Sequence, residues 1–182
     1  MGNSFFSISE ILLCCIQYAY CDLTALPLVN KQAWQSTSGG PAGRAINNSY
    51  QTFQYTDTGD PHPWWIVDLD GEHCLGRVTV TLRTGCCGQH RFTGALVRAG
   101  LNMNVTNDPS PPCGSPAFRN QSSDGATNKF LCDPPRMARY VSLDINISRP
   151  GVTASNAYLQ LAEVNLEEYT SGECDAPKIG KS

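Results

Sequence analysis

Val78-Thr79-Val80-Thr81-Leu82 runs into Arg83-Thr84-Gly85-Cys86-Cys87-Gly88-Gln89-His90-Arg91-Phe92-Thr93-Gly94, and then into Ala95-Leu96-Val97-Arg98. The first run alternates apolar and polar residues, as a strand with one buried face does. The last run is a second strand candidate. A hairpin needs only a few turn residues, yet this connection carries adjacent cysteines, two arginines and a histidine. Arginines on a loop held by a rigid β scaffold are a common way to build a polar binding site. The loop is therefore the first functional candidate.

The same short alternations recur outward from it. Trp64-Trp65-Ile66-Val67-Asp68-Leu69 is the strongest apolar block and reads as a central strand whose tryptophans open the core. Lys129–Cys132, Ala138–Ile145 and Tyr158–Leu166 read as further strands. Residues 22–40 read as a polar lead-in, and residues 41–63 and 101–128 as loop. No helical periodicity runs through these segments. Many short strands with long, turn-rich connections indicate an all-β sandwich or jelly roll. At 182 residues the chain suits a single domain.

Composition narrows the function classes. Lys+Arg total 13 against Asp+Glu 16, for a net charge of −3, so no basic field exists to draw nucleic acid. The nine cysteines lack paired CxxC knuckles and read as a disulfide framework of an oxidising compartment. Phe5-Phe6 and Ile11–Ile16, followed by small residues near Ala19-Tyr20-Cys21, resemble a signal peptide. Cleavage after Cys21 leaves six cysteines, an even number. The expected organisation is a signal peptide at 1–21, a domain at 22–170 and a polar tail at 171–182, secreted and without a membrane span. Asn47, Asn104, Asn120 and Asn146 head N-glycosylation sequons. His62, His73 and His90 form no zinc signature, and no Gly-x-Ser-x-Gly elbow occurs, so the chain does not read as an enzyme.

Taken in order, Pro63-Trp64-Trp65-x-Val67-Asp68-Leu69, Arg83 to Cys87, Gly94-Ala95, Pro112-Cys113, Phe130-x-Cys132, Arg139-Tyr140-Val141 and Leu161-x-Glu163-Val164 resemble the F-type lectins. These fucolectins are β jelly rolls of discoidin-like type that bind L-fucose, and the resemblance covers residues 25 to 168. It implies a sugar site at the opening loop, with a histidine, two arginines, an orienting aspartate and a contiguous disulfide. Arg83 matches the first arginine, and Cys86 and Cys87 match the disulfide. The second falls on His90 by spacing, or on Arg91 if one residue is inserted; Gly94-Ala95, also one residue late, favours Arg91. The aspartate position holds Gly85. The histidine position falls near Thr56-Asp57, where Asp57 stands as a substitute hydroxyl acceptor.

The resemblance further implies a calcium site built from Arg44, Asn47, Ser49, Gln54, the Ala162 carbonyl and Glu163. Only Glu163 there is a carboxylate, and a hard cation wants several anionic oxygens. The expectation is that Arg44 replaces the ion by pairing with Glu163, so that no cofactor is required and calcium is the alternative. The family pattern implies bridges Cys86–Cys87 and Cys113–Cys132. It supplies no partners for Cys74 and Cys174, which are left to pair with each other. The expected function is recognition of fucosylated or related glycans on glycoproteins or cell surfaces through Arg83 and Arg91. The alternative is a degenerate lectin fold serving protein recognition, and oligomerisation stays open.

Overall fold

Two long strands carry the architecture. In the computed structural model, which describes residues 23–85, 90–170 and 174, β4 spans Trp64–Leu82 and β6 spans Thr127–Asp144, antiparallel along most of their length. The shorter strands are β1 Leu23–Leu26, β2 Gln32–Gln35, β3 Gln54–Tyr55, β5 Leu96–Gly100 and β7 Gln160–Tyr169. The two ends of β4 and β6 take different neighbours. Near Trp65–Asp68 of β4 and Tyr140–Asp144 of β6, the outer partners are β2 and β5. Along Leu75–Leu82 of β4, the outer partner is β7, which also carries β1 and β3. Every one of these pairings is antiparallel. One continuous strand pair thus serves both layers of the jelly roll.

The expectation kept 64–69 and 78–82 apart, and likewise 129–132 and 138–145. The structure joins each pair across register shifts between Asp68 and His73 and between Leu75 and Arg77. Asp70 has φ +62°, and its N–H donates to Asp68 Oδ1 at 2.8 Å, a local turn that breaks the alternation without ending the strand. Gly76 sits under Leu23 and Tyr169, where a Cβ would lie 2.5 Å from both side chains. Strands β1, β2 and β3 lie in segments that read as lead-in or loop. The described residues contain only short 3-10 turns as helix, at Ala42–Ile46 and Arg119–Gln121. None of their helices is long and apolar enough to cross a membrane.

The core lies between the layers. Trp65, Val67, Leu69, Val78 and Val80 of β4, Val141 and Leu143 of β6 and Leu161 of β7 are all fully buried. Trp65 is core, as its position implied, and its indole N–H donates to Ala42 O at 3.0 Å. Two of the expected bridges are present. Cys113–Cys132 joins the segment after β5 to β6, and Cys74–Cys174 ties the end of the described chain to β4. The expected Cys86–Cys87 bridge and the signal peptide fall outside the described residues.

One buried carboxylate links these elements. Asp144, at 1% side-chain exposure, accepts from Arg98 Nη1 at 2.8 Å, from His62 Nε2 at 2.9 Å, and from Arg149 Nη2. Arg149 Nη1 also donates to Gly94 O at 3.1 Å. Replacing Asp144 with Ala leaves two arginines and a histidine without their acceptor. Breaking such a cluster costs roughly 3–5 kcal/mol. Urea titration of Asp144→Ala is expected to show a loss of that size; a loss under ~1 kcal/mol would show that the cluster is not structural.

Candidate functional site

The loop after β4 is pinned at both ends before it presents any side chain. Leu82 N–H donates to Ala126 O at 2.9 Å, and Gly125 N–H donates to Arg83 O at 3.0 Å. Gly85, with φ +76°, donates its N–H to Asp124 Oδ2 at 3.0 Å. At the far end Gly94 has φ +77°, and a Cβ there would meet Val152 Cγ2 at 2.2 Å, so only glycine fits. Between them Phe92 is 2% exposed and packs edge-on to Phe130, anchoring the loop to the core. Arg91, its neighbour, stays half-buried at the surface.

Arg83 and Arg91 border a narrow surface cleft of about 10 Å³, room for one water below the surface, which Leu82, Phe92, Ser123 and Gln160 complete. The Arg83 guanidinium lies 3.8 Å from the centroid of the Phe53 ring, and the Arg91 guanidinium 4.7 Å from that of Tyr158. Each stacking contact is worth about 0.5–2 kcal/mol and fixes the plane of the guanidinium. No carboxylate of the described residues pairs with either arginine. Arg83 Nε is buried without an acceptor among the described residues. Gly85 stands where the resemblance implies an orienting aspartate, so Arg83 has no acidic partner at that position. Phe53 orients it instead. Neither Phe53 nor Tyr158 was marked by the sequence, because both reach the loop from distant segments.

The other expected residues fall as follows. His90 adjoins the cleft, but its ring faces Arg119, whose Nη2 donates to His90 Nε2 at 2.9 Å. Asp57 is exposed on the turn after β3, its N–H donating to Thr37 Oγ1 at 2.7 Å. Among the described residues no contact joins Asp57 to Arg83 or Arg91. Cys86 and Cys87 lie outside the described residues. His62 serves Asp144, away from the cleft.

The expected replacement of calcium by Arg44 does not hold. Arg44 is exposed and makes no ion pair with Glu163 among the described residues. Glu163 is 3% exposed, and its Oε2 accepts from Ser49 N at 3.1 Å. Asn47 Oδ1 accepts from Ser49 N and from Thr52 Oγ1. Gln54 is fully buried with both its amide oxygen and its NH2 group unpartnered among the described residues. A cation satisfies only the oxygen of such an amide; a water satisfies both groups. No cluster of three His, Cys, Asp or Glu side chains forms among the described residues. With one carboxylate, itself held by backbone donors, this set does not fit a calcium ion.

The jelly roll with a loop-borne site at one end is the architecture of the F5/8 type C domain family, which matches residues 30–164. The chain belongs to that family. Within it the chain is similar to the fucolectins: it is 32% identical over 123 residues to Fucolectin-5 of Anguilla japonica, covering 68% of this chain and 58% of that protein. The chain thus spans less than two thirds of that relative's length. The crystal structure of an F-lectin from Morone saxatilis serum superposes with a TM-score of 0.66 at 23% identity, covering 81% of this chain and 50% of that one. The lectin domain of lectinolysin, complexed with Lewis B antigen, gives 0.60 at 22% identity, covering 79% and 96%. At these identities the two structures show the fold.

Burial pushes the Glu163 carboxyl up to about 7, against the backbone N–H groups of Ser49 and Asn48 that pull it down. From its ordinary 4.5 up to that value, the folded chain keeps a proton that the unfolded chain has released. Stability gained from this group is therefore full at low pH and falls as pH rises through the window. The decline amounts to at most roughly 3 kcal/mol. Urea midpoints of Glu163→Gln are expected to lose this slope between those pH values; an unchanged slope would assign it to other groups.

Proposed function

We propose that this chain is a secreted carbohydrate-binding protein that recognises a fucosylated or closely related glycan at the Arg83–Arg91 cleft. One observation carries the reading. The fold brings two guanidiniums to one cleft, orients both on aromatic rings, and leaves both without a carboxylate among the described residues. A sugar hydroxyl accepts from a guanidinium N–H, and charged donors make the stronger hydrogen bonds to it. Fixed planes keep several N–H vectors aimed at a ring whose hydroxyls have fixed relative positions, which lowers the ordering cost of binding.

The relatives support the choice of sugar. Those named fucolectins are identical to this chain at about a third of the aligned positions, and the lectinolysin domain holds Lewis B antigen. The two disulfides suit an oxidising compartment. Residues 1–21 serve in this reading as the signal peptide, and Asn47, Asn104, Asn120 and Asn146 as glycan acceptors. No step requires calcium.

A glycan array followed by calorimetry tests the reading. Fucosylated glycans are expected to lead the array. Arg83→Ala is expected to weaken binding at least tenfold, since a hydrogen bond from a charged group contributes about 1.5–3 kcal/mol. Phe53→Ala is expected to weaken it by a smaller factor, because the guanidinium remains but loses its platform. A blank array beside capture of a protein receptor would replace this reading with protein recognition.

A further inference from the structure

Four arginines of the framework are paired with carboxylates, Arg77 with Glu167, Arg139 with Asp68, and Arg98 and Arg149 with Asp144, while Arg136 of β6 donates to the backbone carbonyls of Pro111, Pro112 and Pro134. Arg83, Arg91 and Arg119 have no carboxylate among the described residues, and all three gather around one loop. Arg119 rests on His90 in the 3-10 turn before β6. Beside it opens a second cleft of about 520 Å³. Its walls are His90, Thr93, Arg119, Thr153, Ser155 and Asn156. No carboxylate lines it among the described residues.

The chemistry of these walls is specific. A guanidinium only donates, so His90 Nε2 is the lone-pair nitrogen and the ring proton sits on Nδ1. Nδ1 is buried with no acceptor among the described residues, and His90 holds φ +89°, a backbone region that non-glycine residues seldom occupy. The imidazole is thus kept in a costly arrangement in which it braces Arg119. The remaining guanidinium N–H groups are exposed at the cleft. Thr153 Oγ1 pairs with Ser155 Oγ at 2.9 Å, and Thr93 Oγ1 with Ser122 Oγ at 3.2 Å. Asn156 Oδ1 accepts from Thr153 N at 2.7 Å, which leaves its NH2 group to donate. A braced cation surrounded by hydroxyl and amide groups, with no carboxylate among the described wall residues, suits a polyhydroxylated ligand that carries a negative charge.

We propose that this second cleft is a subsite for an anion-bearing sugar, a sulfate ester or a carboxylate, on the glycan whose neutral unit occupies the Arg83–Arg91 cleft. His90 and Arg91 are consecutive, with Cα atoms ~3.8 Å apart, so neighbouring units of one oligosaccharide reach both clefts. For its ligand class the inference rests on the carbohydrate function proposed above.

Calorimetry with Lewis a, 3′-sulfo-Lewis a and sialyl-Lewis a reads the subsite. At least one charged form is expected to bind about tenfold more tightly than the neutral form, and which one does so identifies the anion. Arg119→Gln is expected to remove that preference and leave Lewis a affinity unchanged; Arg119→Lys is expected to retain part of it. Equal affinity for all three in the native protein, or a preference that survives Arg119→Gln, overturns the proposal. Galactose 3-sulfate and L-fucose, each followed alone by NMR at the His90 ring, separate the two readings. A His90 shift with the sulfated sugar and no L-fucose binding keeps the subsite and sinks the fucose site. L-fucose binding without that shift sinks the subsite alone.

Discussion

The buried Asp144 carboxylate is the constraint on which the placement of the loops depends. It ends β6, takes hydrogen bonds from β5 through Arg98, and draws in His62 and Arg149 from two connections. Arg149 carries the link on to Gly94, the last residue of the candidate loop. A carboxylate desolvated to this degree is tolerated only with matched partners, so each connection it holds is held firmly. The loop is thereby fixed at Gly94 by a charge cluster, at Phe92 by the core and at Arg83 by the Gly125 hydrogen bond. What the loop displays follows from these anchors. Phe92 points inward, and Arg91 is left to face Tyr158.

Arginine orientation divides the molecule in two. Along the strands, Arg77, Arg98 and Arg139 are satisfied by carboxylates and Arg136 by backbone carbonyls, and the holding power of Asp68 and Glu167 is visible in carboxyl groups drawn below their ordinary range by Arg139 and Arg77. Around the loop the supports are neutral: a phenyl ring, a phenol ring and an imidazole. A neutral support fixes direction without cancelling charge. The unneutralised guanidiniums of the loop therefore sit where a ligand can use them.

Much of this was legible in the sequence. Val78–Leu82 and Ala138–Ile145 alternate because each has one face on the core, and that signal is local. The Cys74–Cys174 and Cys113–Cys132 bridges were also anticipated. Strands β1, β2 and β3 were not, because short strands at the margins of the sheet take their regularity from β7 and β4 rather than from their own periodicity. Phe53 and Tyr158 were missed for a related reason. Each is an ordinary aromatic in its own segment and gains a role only when the fold lays it against an arginine. Arg44 erred in the opposite direction: the resemblance placed it in the calcium site and implied an ion pair with Glu163, but the turn at Ala42–Ile46 sends it to solvent.

A crystal structure of the chain with a fucosylated trisaccharide tests the central claim most directly. The account predicts the fucose ring in the cleft between Arg83 and Arg91, with hydroxyl oxygens within hydrogen-bond distance of both guanidiniums and with Phe53 still stacked on Arg83. Sugar density bound elsewhere on the molecule, with neither arginine touching it, would contradict the account.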